Sequence, residues 1–175
     1  VCAVPLYALG DQVPLIDPTA FVHPEAVIIG SVTIGAESSV WSGAVLRGDG
    51  GRIVVGDRTS IQDGCIIHTT PETPTIVGDD CVVGHLVHLE SCTIESRCLI
   101  GVGAIVLHRV RVGTGATVAA NAVCLNDLVV PPGALAMGVP AKVREGASRL
   151  EAIDDGVETY RKKAAWFRAE MRRID

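Results

Sequence analysis

Residues 94–130 read IESRCL-IGVGAI-VLHRVR-VGTGAT-VAANAV-CLNDLV-V, and every sixth residue is apolar: Ile94, Ile100, Val106, Val112, Val118, Cys124 and Val130. A helix repeats its face every 3.6 residues and a strand every 2, so neither alone gives this spacing. A six-residue unit holds one short strand and one tight corner. Three such units close a triangular coil of about 18 residues, and each apolar residue stacks on its equivalent in the next coil.

The same period runs upstream through Val22, Ile28, Ile34, Val40 and Leu46, then Val55, Ile61 and Ile67, then Val77, Val83 and Leu89. Four residues after most of these sits a small residue, such as Ala26, Ala44, Thr59, Cys65, Cys81, Cys98 or Ala116. Glycine often follows the apolar residue directly, as at Gly35, Gly56, Gly78, Gly84, Gly101 and Gly113, where it is expected to supply unusual backbone angles at the corners. This pattern is the hexapeptide repeat of a left-handed parallel β-helix, an exception to the usual right-handed crossover. The fold expectation is an all-β solenoid over residues 1–145, with a C-terminal α-helix over residues 146–175 packed on it.

The period breaks in three places. Arg47–Arg52 (RGDGGR) and His68–Ile76 (HTTPETPTI) read as insertions, and Leu89 to Ile94 is a step of five. Loops extruded from a rigid solenoid are where binding groups tend to sit. Beyond Pro140 the chain becomes charged and Ala-rich. Val157, Tyr160, Ala164, Phe167 and Met171 form one stripe of an amphipathic helix, expected to cover one wall.

Composition supports a small-residue core: 48% of the 175 residues are hydrophobic, but 3% are aromatic. The formal net charge of −5 argues against a nucleic-acid or anionic-membrane partner. No apolar run approaches the length of a membrane span. Four of the six cysteines fall at small corner positions, none forms a CxxC pair, and Val1–Gly10 lacks a cationic secretion segment. A reduced, cytoplasmic protein is the expectation.

His68 directly follows inward Ile67 and so points outward, and His85 lies two residues after inward Val83, near a corner. Here the sequence resembles the γ-class carbonic anhydrases. The matching stretches are Leu46-Arg47-Gly48-Asp49, Ile61-Gln62-Asp63-Gly64, Ile67-His68, Val83-Gly84-His85, Cys92-Thr93-Ile94, Leu99–Ala104 and Gly138–Lys142. The resemblance implies a homotrimer with a metal at each subunit interface, zinc or alternatively Fe(II), held by two ligands of one subunit and one of its neighbour. His68 matches the first ligand and His85 the one contributed across the interface. The third family ligand is a histidine five residues after the second, and here that position is Glu90. A His2Glu set suits catalytic zinc with an open position for water, and also Fe(II). Two other readings stay open: His88 substitutes for the missing histidine, or the site is degenerate and Glu90 makes a salt bridge. Arg47 and Asp49 match an ion pair that holds the interface. Gln62 would contact the metal-bound water or bicarbonate, and Asp63 would support Arg47. The acidic proton-shuttle loop of the best-known members is missing, which leaves Glu72 or bulk buffer.

The implied activity is reversible hydration of CO2 to bicarbonate by metal-bound hydroxide, weakened or lost if Glu90 blunts the metal. The alternatives are a hexapeptide-repeat acyltransferase and a non-catalytic trimeric scaffold or small-molecule carrier.

Overall fold

The computed structural model describes residues 5–175; Cys2 and the first four residues of the Val1–Gly10 stretch lie outside them. Short parallel strands wind into a left-handed solenoid of about seven coils. Its inner column is the sequence period itself. Ile34, Val83 and Val112 are 1%, 0% and 0% exposed, and the small corner residues Ala26, Ala44, Cys65, Cys81, Cys98 and Ala104 are also at 0%. Like stacks on like: in one column Leu46 pairs with Ile67, Ile67 with Leu89, and Leu89 with Val106. Each coil therefore closes the core of the one below it, which short aliphatic side chains accomplish without aromatic bulk.

One wall is an eight-stranded sheet. The other two walls form a single twelve-stranded sheet, because Val27–Ile34 and Val45–Val55 run continuously around the corner between them. That corner collects all three breaks in the period. Arg47–Arg52 is not an extruded loop: it lies within the strand Val45–Val55, as a bulge opposite Gly30–Val32. Directly above it stand the segment after the strand Ile66–His68 and then the five-residue step after His88–Glu90. The irregularities of three coils thus share one edge of the prism.

The glycines that follow inward residues have a different role from the one expected. Gly56 and Gly84 do not adopt positive φ. A Cβ on Gly56 would lie 2.7 Å from the carbonyl carbon of Gly78, and one on Gly84 2.9 Å from the carbonyl oxygen of Ile100. They are required by the close approach of successive coils. Left-handed backbone angles fall instead at other positions, on glycines such as Gly43, Gly64 and Gly103 and on Glu37, Arg58, Asp80 and Arg97, polar residues whose backbone N–H groups bond the coil below, as from Arg58 to Ala36.

The last coil ends in an antiparallel pair, Leu135–Met137 with Lys142–Arg144. The helix Leu150–Glu170 then returns along the eight-stranded wall. Ile153 and Val157 pack on Val82 and Leu99, while Tyr160, Ala164 and Phe167 pack on Phe21 and Trp41. Trp41 makes edge contacts with Tyr160 and Phe167 at ring separations of 5.5 and 5.0 Å. Ion pairs from Arg97 to Asp154 and from Arg161 to Glu37 flank the seam. Met171 lies just past the helix end and is exposed, so the stripe is anchored one turn earlier than its spacing implied, by Ile153. No helix among the described residues is long and apolar enough to cross a membrane.

Candidate functional site

The first cluster of polar side chains lies on the irregular corner. Register places Arg47, His68 and Glu90 one above another in successive coils. Each follows an inward-facing residue, so each points outward. One ring nitrogen of His68, Nδ1, is 3.2 Å from Glu90 Oε1, and the other, Nε2, is 3.2 Å from Asp49 Oδ1. Asp49 also forms an ion pair with Arg47 within the chain. Partial burial would raise the pKa of Asp49, but the hydrogen bonds from Arg47 and His68 outweigh it and lower it.

Glu90 is also approached from two further sides. His88 Nε2 is 3.3 Å from its Oε2, and His108 Nε2 is 3.8 Å from its Oε1. Burial again opposes ionisation, yet the hydrogen bonds from His68 and His88 and the charge of His108 lower its pKa. Glu90 is therefore a carboxylate at neutral pH.

The second cluster stands at another corner, where the eight-stranded wall turns into the strand His88–Glu90. His85 Nδ1 is 2.9 Å from Asp63 Oδ2, and Asp63 Oδ1 accepts a 2.9 Å hydrogen bond from the Ser42 hydroxyl. The helix closes over this column: the Tyr160 hydroxyl lies 3.4 Å from His85 Nε2. Desolvation, with the Asp63 charge added, raises the Tyr160 pKa and keeps the phenol protonated. Gln62, beside Asp63, is buried at 4% exposure. Asp63 thus meets His85 and Ser42 in its own chain, whereas Arg47 meets Asp49.

The sequence-predicted residues form two groups, then: Arg47, Asp49, His68 and Glu90 at one edge, and Gln62, Asp63 and His85 at another. Among the described residues no three His, Cys, Asp or Glu side chains of one chain converge so as to hold a cation. Glu72 lies on the exposed turn after Thr70 and enters neither group. Sequence reasoning missed His108, Ser42 and Tyr160. His108 lies 18 residues after Glu90, one coil length, so the period contained that signal. Tyr160 had none, because it reaches His85 through the packing of the helix.

The Arabidopsis thaliana protein named gamma carbonic anhydrase 1, mitochondrial, is 41% identical over 138 residues, 75% of this chain and 50% of that one. A protein from Geobacillus kaustophilus named carbonic anhydrase is 40% identical, over 79% of this chain and 76% of its own length. The chain belongs to the γ-carbonic anhydrase family. It spans about half the length of the plant members of that family it matches. The family resemblance extends to the carnitine operon protein CaiE of Escherichia coli, 38% identical over 81% of this chain and 72% of that one. No protein-family model matches the sequence.

Among solved structures, a Bacillus cereus protein provisionally described as an acetyltransferase superposes with a TM-score of 0.92. It is 34% identical and covers 95% of this chain and 98% of its own. A hexapeptide transferase family protein from Anaplasma phagocytophilum gives 0.89 at 33% identity, over 93% and 98%. The hexapeptide β-helix of the γ-carbonic anhydrase family is therefore shared with proteins carrying transferase names, and the fold alone does not separate the two chemistries.

Proposed function

We propose that the protein is a homotrimeric γ-carbonic anhydrase whose metal centre lies between subunits, with His68 and Glu90 supplied by one subunit and His85 by its neighbour. The observation that carries this reading is the division of the site into two half-sets on different edges of one chain. Each half is incomplete alone, and a threefold assembly brings unlike edges together. Exposed apolar side chains support it: Ile66, Leu86, Val102 and Ile105 are 44%, 67%, 46% and 36% exposed on the surface around His88. Patches of this kind mark contact surfaces.

The donor chemistry fits a divalent cation. Two ligands bonded at about 2.0 Å to a tetrahedral ion stand about 3.3 Å apart, close to the 3.2 Å between the His68 ring and Glu90. Asp63 on His85 Nδ1 is the carboxylate–histidine arrangement that fixes the ring of a metal ligand. Zinc fits this set best, and Fe(II) also suits two histidines and a carboxylate. When bound, the ion supplies Lewis acidity for the addition of water to CO2. The chain's own residues do the rest. Gln62 orients the CO2 or bicarbonate, the Arg47–Asp49 pair holds the subunit contact, and the Tyr160 hydroxyl restricts the approach to His85. The reading includes a reducing, cytoplasmic setting, which the five buried, unpaired thiols among the described residues suit.

The test is metal analysis of the purified protein together with CO2 hydration and sedimentation. The expected result is a trimer with one zinc or iron per subunit, and a His85→Ala variant that remains trimeric without stoichiometric metal. A monomer, or a His85→Ala variant with full metal, overturns the reading. The transferase names of the two solved structures described above favour one alternative, an acyltransferase. Saturable coenzyme A binding by a metal-free wild type would establish it instead.

A further inference from the structure

Glu90 is the point where the chain departs from a three-histidine set, and it does not stand alone. His88 precedes it by two residues on the strand His88–Glu90, so both side chains leave the same face of the sheet. His88 Nε2 is 3.3 Å from Oε2, while His108, from the next coil, brings Nε2 to 3.8 Å from Oε1. With His68 from the coil below, three successive coils converge on one half-buried carboxylate.

Stability does not explain such a cluster. Partly exposed pairs of this kind contribute little to folding, and the aliphatic column behind them is already complete. Orientation does explain it. A glutamate has more rotatable bonds than a histidine and loses more freedom when fixed in one geometry. A ligating carboxylate is itself normally hydrogen-bonded by outer groups, which set its direction. Here His88 takes Oε2 and leaves Oε1 turned toward His68, and His108 closes the remaining side.

We infer that His88 and His108 are positioning residues for Glu90, holding its carboxylate in the orientation in which it faces the same ion as His68. The inference rests on the metal-site reading above. It accounts for a carboxylate at a position where relatives of this type place an imidazole: the two extra histidines supply the rigidity that the longer side chain lacks.

The test uses the assembled, metal-stripped protein, titrated with zinc(II) against a chromophoric chelator and with cobalt(II) followed by visible absorption. His88→Ala should weaken zinc binding about 10–100-fold, and His88→Ala with His108→Ala should weaken it further. Both should shift the cobalt(II) bands, and the oligomeric state should remain that of wild type. His88→Gln keeps an N–H donor of similar reach and should recover most of the affinity, which a loss of packing would not allow. Two control variants, His68→Ala and His85→Ala, separate the two ideas. If they lose both ions while the His88/His108 double variant binds as wild type with unchanged bands, the positioning role is wrong and the metal site stands. If they bind the ions as wild type does, the metal site itself is wrong and the inference falls with it.

Discussion

Ile66 and Ile67 are neighbours in one strand, chemically identical, and face opposite ways: Ile66 is 44% exposed and Ile67 is 0% exposed. Changing each to alanine removes the same atoms and should have very different consequences. Ile67 is clamped between Leu46 and Leu89 in the stacked column. Losing its side chain beyond Cβ removes three buried carbons, at about 0.8 kcal/mol each. It also leaves a cavity that the hydrogen-bonded coils above and below cannot collapse, which brings the total to about 4 kcal/mol. For a chain of this size each kcal/mol moves the melting temperature by about 2–4 °C, so Ile67→Ala should melt about 8–16 °C lower. Ile66→Ala should leave the subunit's own stability within about 0.5 kcal/mol. Its effect should appear in assembly, as a transition that moves with protein concentration. Thermal unfolding followed by circular dichroism at two protein concentrations distinguishes the two. Equal, concentration-independent losses for both variants would refute the assignment of inward and outward faces.

Replacing Glu90 with histidine should restore the family's ligand set, retain zinc and raise CO2 hydration at neutral pH, because a carboxylate ligand partly neutralises the cation; a variant that binds zinc fully and gains nothing places the weakness elsewhere. Asp80 is held below the usual carboxylate range by its hydrogen bonds from Arg58, partly opposed by burial. Its contribution is present above the unfolded pKa of about 3.9 and is lost as pH falls through the lower folded value. Asp80→Asn should therefore cost at most about 1 kcal/mol at pH 7, with the difference from wild type narrowing below about pH 4 in acid unfolding. Burial pushes the Cys65 and Cys92 thiols up to about 12 and Cys124 up to about 11. These three should resist alkylation at pH 8 in the native protein and react after denaturation, as mass spectrometry of the labelled peptides would show.

The coil was legible in the sequence because it follows from a local rule: a six-residue period forces one inward residue per strand whatever the surroundings. The outward direction of His68 was legible for the same reason, since it follows inward Ile67; Glu90 was reached through the family resemblance, and register stacks it on His68. The corner at which the three breaks meet was not readable from any one of them. It appears once Val27–Ile34 and Val45–Val55 bend around the same edge and bring irregularities of different lengths into one column. The role of the glycines that directly follow inward residues was misjudged because the constraint on them is distance to the next coil, a property of stacking and not of the residue's own φ. The period already placed His108 one coil length after Glu90, but the gathering of Ser42 and Tyr160 on Asp63 and His85 belongs to the tertiary structure alone. Residues on different coils, and on a helix 75 residues away in sequence from His85, become neighbours only when the aliphatic column fixes the rise between coils and Trp41 and Phe21 fix the helix on its wall. A linear pattern specifies which way each side chain points, and packing decides what it meets.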